Sequence, residues 1–103
     1  MKYRILRTDQ ANDQLYSLIQ YIADDSGDVA LALRYLDRLE KAILHLAEFP
    51  YAGVEPRYSI LRKQGYRVLI VEKQLVFYKV DEGAESVTIH AVVDSRMEYR
   101  NMV

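Results

Sequence analysis

The stretch "YRVLIVEKQLVFYKV", Tyr66 to Val80, reads as two β-strands, Tyr66 to Val71 and Leu75 to Val80, hinged at "EKQ". Its β-branched and aromatic residues suit a pleated, half-buried surface. Two charges interrupt it: Arg67 inside the first strand and Lys79 near the end of the second. A buried cation is costly unless it meets solvent or a partner. Arg67 is therefore expected to point to the helix-free face of a sheet, sharing its side with Leu69 and Val71. Arg96 is expected to reach the same face from the end of the last strand. Lys79 is expected to extend its charge into water, with its stem covering apolar surface.

On the C-terminal side, "DEGA" (Asp81 to Ala84) predicts a second hairpin turn with Gly83 at positive φ. Ser86 to Val93 then forms the last strand, and strict alternation places Val87, Ile89, Ala91 and Val93 on one face. The tail "DSRMEYRNMV" follows. On the N-terminal side, "PYAGVEPRYSILRKQG" mixes Pro, Gly and polar residues and reads as an irregular connection.

Two helices are predicted before that connection. Ala11, Leu15, Leu18, Ile19 and Ile22 recur at helical spacing to about Asp24, with Thr8 or Asp9 as N-cap. "DDSGD" breaks the pattern, Gly27 being suited to a left-handed backbone and Asp28 to capping the next helix. Ala32, Leu36, Leu39, Ile43 and Leu46 mark a second helix from Val29 to Phe49, closed by Pro50. So short a loop makes the two an antiparallel hairpin. The opening "KYRILR" alternates as a strand. The order is β-α-α-β-β-β, and an α+β fold with the helical hairpin packed on one face of an antiparallel sheet satisfies it.

The chain has 103 residues, half of them hydrophobic. That predicts one domain over residues 1–103, able to bury roughly 65% of its unfolded surface. Without cysteine there is no disulfide framework, thiolate metal site or cysteine nucleophile. The start "MKYRILRTDQ" lacks the apolar region of a signal peptide, and no apolar run approaches the roughly 20 residues a membrane helix needs. A cytoplasmic protein without membrane contact is expected. With 14 Lys and Arg against 15 Asp and Glu, the net charge is −1. A general nucleic-acid binder carries a basic excess, because phosphate neutralisation supplies most of its non-specific affinity.

Chemically, the chain offers little that is conventional. His45 and His90 are its two histidines, and neither sits at metal-ligand spacing. His45 reads as a helix-surface residue, whereas His90 falls opposite Val87 and Ile89 and is a candidate for target contact. Asp24, Asp25 and Asp28 lack calcium-loop spacing and read as capping and loop solvation. No cofactor and no metal are expected. The basic residues are more distinctive: Arg57, Arg62, Lys63 and Arg67 crowd one region, and Arg96 and Arg100 follow the last strand. Arg62, Lys63, Arg67, His90 and Arg96 are the candidate target-binding residues.

Nearly the whole chain resembles the RelE/ParE superfamily, the toxins of bacterial type II toxin–antitoxin systems. The resemblance is carried by the short first strand, the two-helix hairpin, "LRYLDRLEKAILHLAEFPYAG", "GYRVLIVEKQLVFYKVDE" and "IHAVVDSRMEY" in that order and spacing. It implies a cognate antitoxin partner. The superfamily contains ribosome-dependent mRNA endonucleases, the RelE-like branch, and ParE-like inhibitors of DNA gyrase. The nuclease branch places two lysines on the strand after the helices, an arginine on the next, and an arginine and a tyrosine near the end. Here Arg67 takes the first lysine's position and Leu69 the second's, while Gln74 or Leu75 stands where the strand arginine is expected. Arg96 matches the later arginine and Tyr99 is the candidate tyrosine. If the chain were RelE-like, Arg67, Arg96 and Tyr99 would be its catalytic residues. The incomplete set implies the ParE-like branch, which acts by binding gyrase. The alternatives are an endoribonuclease acting on ribosome-bound mRNA and a non-toxic interaction module of the same fold.

Overall fold

The computed structural model describes residues 2–97. The first strand, β1 (Arg4–Arg7), leads through Thr8 into α1 (Asp9–Ser26) and then α2 (Val29–His45). A short α3 (Ser59–Lys63) precedes β2 (Arg67–Val71), β3 (Gln74–Asp81) and β4 (Ser86–Asp94). The predicted caps are present. Thr8 Oγ1 accepts from the Ala11 amide at 3.1 Å, and Asp28 Oδ1 accepts from Leu31 at 3.2 Å. Gly27 ends α1 at φ 67°, its amide donating to the Ala23 carbonyl. There a side chain would strain the left-handed backbone. The second helix stops at His45, short of the predicted Phe49, because the Leu46 amide turns back to the Ile43 carbonyl and tightens the last turn.

The four strands lie in the order β1-β4-β3-β2. The β2–β3 and β3–β4 pairs are antiparallel as expected. The β1–β4 pair is parallel, with Arg4 opposite Ser86 and Arg7 opposite Ile89, which makes the sheet mixed. Alternation alone does not give a strand's direction, and the sheet is mixed where a wholly antiparallel one was expected. The helical hairpin covers one face over a core that includes Leu15, Leu39, Leu46, Val76, Tyr78 and Ile89.

Three further corrections follow from local geometry. Phe77 pairs with Ala91 but Tyr78 pairs with Ile89, so His90 is an extra residue in β4. Such a bulge reverses which face later residues take. Val87 and Ile89 face the helices, whereas Ala91 and Val93 join Leu61, Val68, Leu75 and Phe77 on the other face. That second face is not helix-free, since Leu61 of α3 is buried against it. At the β3–β4 turn, positive φ falls on Glu85 rather than Gly83, and the Asp81 carboxylate accepts from the Ala84 amide.

Candidate functional site

Arg67 shares the side of β2 that carries Leu69 and Val71, and both pack against the helix-side core. Its side chain therefore does not reach the face expected for it. Its guanidinium Nη2 donates to the carbonyls of Gly53 at 2.6 Å and Tyr51 at 3.1 Å. The group lies 5.2 Å from the centre of the Tyr51 ring. Its Nε is buried with no partner among the described residues. The tyrosine hydroxyl in turn donates to Glu82, which pushes the Tyr51 pKa up to about 12.

The segment held by Arg67 approaches the sheet closely. Val54 and Val68 exchange two backbone hydrogen bonds, each 2.8 Å long. The Gly53 amide donates to the buried Tyr78 hydroxyl at 3.0 Å, and a Cβ on Gly53 would come within 2.5 Å of the Val68 carbonyl oxygen. Arg67 is thus a clamp that fastens residues 51–54 across the end of β2. Arg62 makes a similar clamp: its Nη1 donates to the carbonyls of Pro56 and Arg57. The two arginines meet at a small cleft of about 210 Å³ with Tyr51, Glu55 and Tyr66.

Tyr66 links that cleft to the face under α3. Its ring meets His90 edge-on at 5.3 Å, and the Lys79 ammonium sits 4.5 Å above its centre. Lys79 therefore caps an aromatic ring instead of extending into water. Burial first, and the Lys79 charge second, lower the His90 pKa below its ordinary value. Lys63 is exposed at the end of α3.

Arg96 lies elsewhere. Its Nε and Nη2 grip the Asp94 carboxylate at 3.0 and 2.7 Å, and its amide donates to the same group. These hydrogen bonds lower the Asp94 pKa to about 2. Asp94 pairs with Gln74, whereas Arg67 pairs with Tyr78, four residues along β3. At the rise of an extended strand, Arg67 and the Asp94 that holds Arg96 are about 13 Å apart along the sheet. The structure brings Arg62 and Arg67 together, links His90 to them through Tyr66, and leaves Arg96 at the opposite end. Tyr99 and Arg100 lie outside the described residues. His45 stacks on Phe49 at 4.7 Å, consistent with a surface role. Among the described residues no cluster of acidic and histidine side chains could hold a metal ion.

One feature escaped the reading of the sequence. A groove of about 800 Å³ runs between α1 and the ends of β3 and β4, floored by Leu18, Val92 and Met97. Its signal was a mismatch of lengths: β1 has four residues and β4 has nine, so part of β4 has no strand beside it.

A family model described as the ParE toxin of the type II toxin–antitoxin system parDE matches residues 5–99. No curated protein matches the sequence. Among solved structures, a chain of the chromosomal ParDE toxin–antitoxin system from P. aeruginosa is similar over 90% of this chain and 96% of that one. Its TM-score is 0.73 at 14% identity. A chain of the toxin–antitoxin complex RelBE2 from Mycobacterium tuberculosis covers 91% of this chain and 99% of its own, with a TM-score of 0.59 at 18% identity. At such identities the likeness shows the fold, and the family model shows the membership: this chain belongs to the ParE toxin family of type II toxin–antitoxin systems.

Proposed function

We propose that this protein, acting as one domain in the cytoplasm, arrests growth by binding DNA gyrase and is neutralised by a cognate antitoxin. The observation that carries the choice of mechanism is the separation and engagement of its arginines. Arg67 is committed to two backbone carbonyls, and Arg96 is paired with Asp94 at the other end of the sheet. Stabilising the charge of a phosphate under attack calls for preorganised donors converging on one point. Arg67 and Arg96 do not converge. The surface around Lys63, Tyr66 and His90, with Arg62 behind it, is the candidate for target contact. Its mixture of apolar, aromatic and basic groups suits a protein partner.

The basic and aromatic grouping of Lys79, Tyr66 and His90 also favours a second reading, contact with RNA, in which bases stack on rings beside cations. Purified protein distinguishes the two. Loss of gyrase supercoiling activity at unchanged translation is the expected result. Cleavage of mRNA on translating ribosomes would establish the endoribonuclease instead. Neither effect, together with normal growth on expression without a partner, would identify a non-toxic module.

A further inference from the structure

Arg62 and Arg67 each use one guanidinium nitrogen to hold the backbone. Arg62 Nη1 donates to the carbonyls of Pro56 and Arg57, at 2.7 and 2.8 Å, which occupies both of its protons. Its Nε and Nη2 have no partner among the described residues. Those two nitrogens form the edge of a guanidinium that grips a carboxylate with two parallel hydrogen bonds. The same chain shows that grip: Arg96 holds Asp94 through Nε at 3.0 Å and Nη2 at 2.7 Å. Arg67 commits Nη2 to Gly53 and Tyr51, and its Nη1 has no partner among the described residues.

Neither arginine belongs to an ion pair of the described residues. Glu55 lines the cleft with them and is exposed, yet pairs with neither. Two cations, one of them half-buried, therefore share about 210 Å³ with no carboxylate bound to either. Partly buried charge is costly until it is paired, so an anion that enters is attracted by both. Size limits what enters: pockets that enclose a free small molecule run to roughly 300–1,000 Å³. A single acidic side chain fits the smaller space.

One wall of the cleft is shared. Tyr51 also lines a broader pocket of about 580 Å³ with His45, Phe49 and Pro50. Phe49 is 53% exposed and Tyr51 49%, so two aromatic rings meet solvent there. Tyr51 is fixed between the two sites, with the Arg67 guanidinium against its ring and its hydroxyl bonded to Glu82. Aromatic and arginine side chains grouped in this way carry most of the binding energy between proteins.

We propose that the cleft takes the carboxylate of one aspartate or glutamate of the target protein, and that the pocket across Tyr51 takes an apolar side chain beside it in the same segment. The inference rests on the reading of this chain as an inhibitor that binds gyrase. Arg62 closes on the carboxylate with Nε and Nη2, and Arg67 adds Nη1. Phe49 and Tyr51 cover the apolar neighbour. Glu55 sets the selectivity, because it repels a doubly charged phosphate more strongly than a singly charged carboxylate.

The test uses the full chain in two assays. In the first, NMR follows the Nε–H signals of Arg62 and Arg67 while a capped leucyl-glutamate dipeptide, its leucyl-glutamine counterpart or inorganic phosphate is added. The glutamate peptide is expected to move both signals at about one-tenth the concentration that the other two require. Phosphate acting as well as the glutamate peptide would overturn the inference and give the cleft to a phosphate ligand. In the second, inhibition of gyrase supercoiling is measured. Arg62→Lys keeps the charge but loses the two-pronged edge, and should weaken inhibition about tenfold with little change in the urea midpoint. Phe49→Ala should also weaken it about tenfold. If Arg62→Lys does not fold, Phe49→Ala and the peptide titration decide. Full inhibition by both variants, with the two dipeptides bound alike, would overturn the inference and spare the gyrase reading. Gyrase left active by the parent protein would overturn both.

Discussion

At the scale of single residues, Arg67 shows how a charge in a strand can be structural. A sequence reveals that the cation needs a destination but not which one, and backbone carbonyls 14 and 16 residues earlier in the chain leave no pattern to read. The same blindness covered Lys79, whose partner Tyr66 sits on another strand's approach. The caps were legible because their partners lie three residues away: Thr8 with Ala11, and Asp28 with Leu31. The clamp makes a prediction opposite to that for an exposed arginine. Arg67→Ala strands the half-covered carbonyls of Tyr51 and Gly53 and frees the Tyr51 ring. A loss of about 1–3 kcal/mol is expected, within a single cooperative transition. Urea unfolding followed by tyrosine fluorescence measures it. A change below about 0.5 kcal/mol, the range of ordinary surface substitutions, would show that Arg67 holds nothing.

At the scale of elements, both helices and all four strands were readable from hydrophobic period, while face and direction were not. Period two assigns faces only while no residue is inserted, and the bulge at His90 inserts one. Ala91 and Val93 therefore moved to the face opposite Val87 and Ile89, although the alternating letters are unbroken. The five residues of α3 are too few to show a helical period beside Pro56 and Gly65. The junction of β1, α1 and β4 carries much of this architecture. Thr8 caps α1 and also donates through its hydroxyl to the His90 carbonyl at 3.2 Å. Thr8→Ala removes both contacts, and a cost of about 1–2 kcal/mol is expected, the upper part of the range for cap loss. Thr8→Ser keeps both oxygen contacts and should restore most of it. Equal destabilisation by the two variants, read from denaturant midpoints, would place Thr8's importance in its methyl group instead.

At the scale of the whole molecule, a net charge of −1 conceals two unlike ends. α1 carries four aspartates and no lysine or arginine, and one of them, Asp13, lines the groove beside the open end of β4. Arg62, Lys63 and Lys79 gather with Tyr66 around α3 and the opposite reach of the sheet. A summed charge cannot report such a division, which is why composition argued against a general nucleic-acid binder and could say nothing of local patches. If the two ends serve different partners, charge reversal should separate their functions. Lys63 is exposed and belongs to no ion pair among the described residues, so Lys63→Glu should leave the fold intact. It introduces a carboxylate into the surface proposed to meet gyrase. Gyrase inhibition should weaken about tenfold, and the weakening should shrink as salt rises, because exposed charges are screened within about 10 Å at 0.1 M. Antitoxin affinity should stay within about threefold of the parent, since the acidic end is untouched. Dose–response curves for supercoiling and a binding isotherm for the antitoxin decide the matter. Parallel losses in both would mean that one partner spans the molecule from end to end, and unchanged gyrase inhibition would move the target surface away from α3.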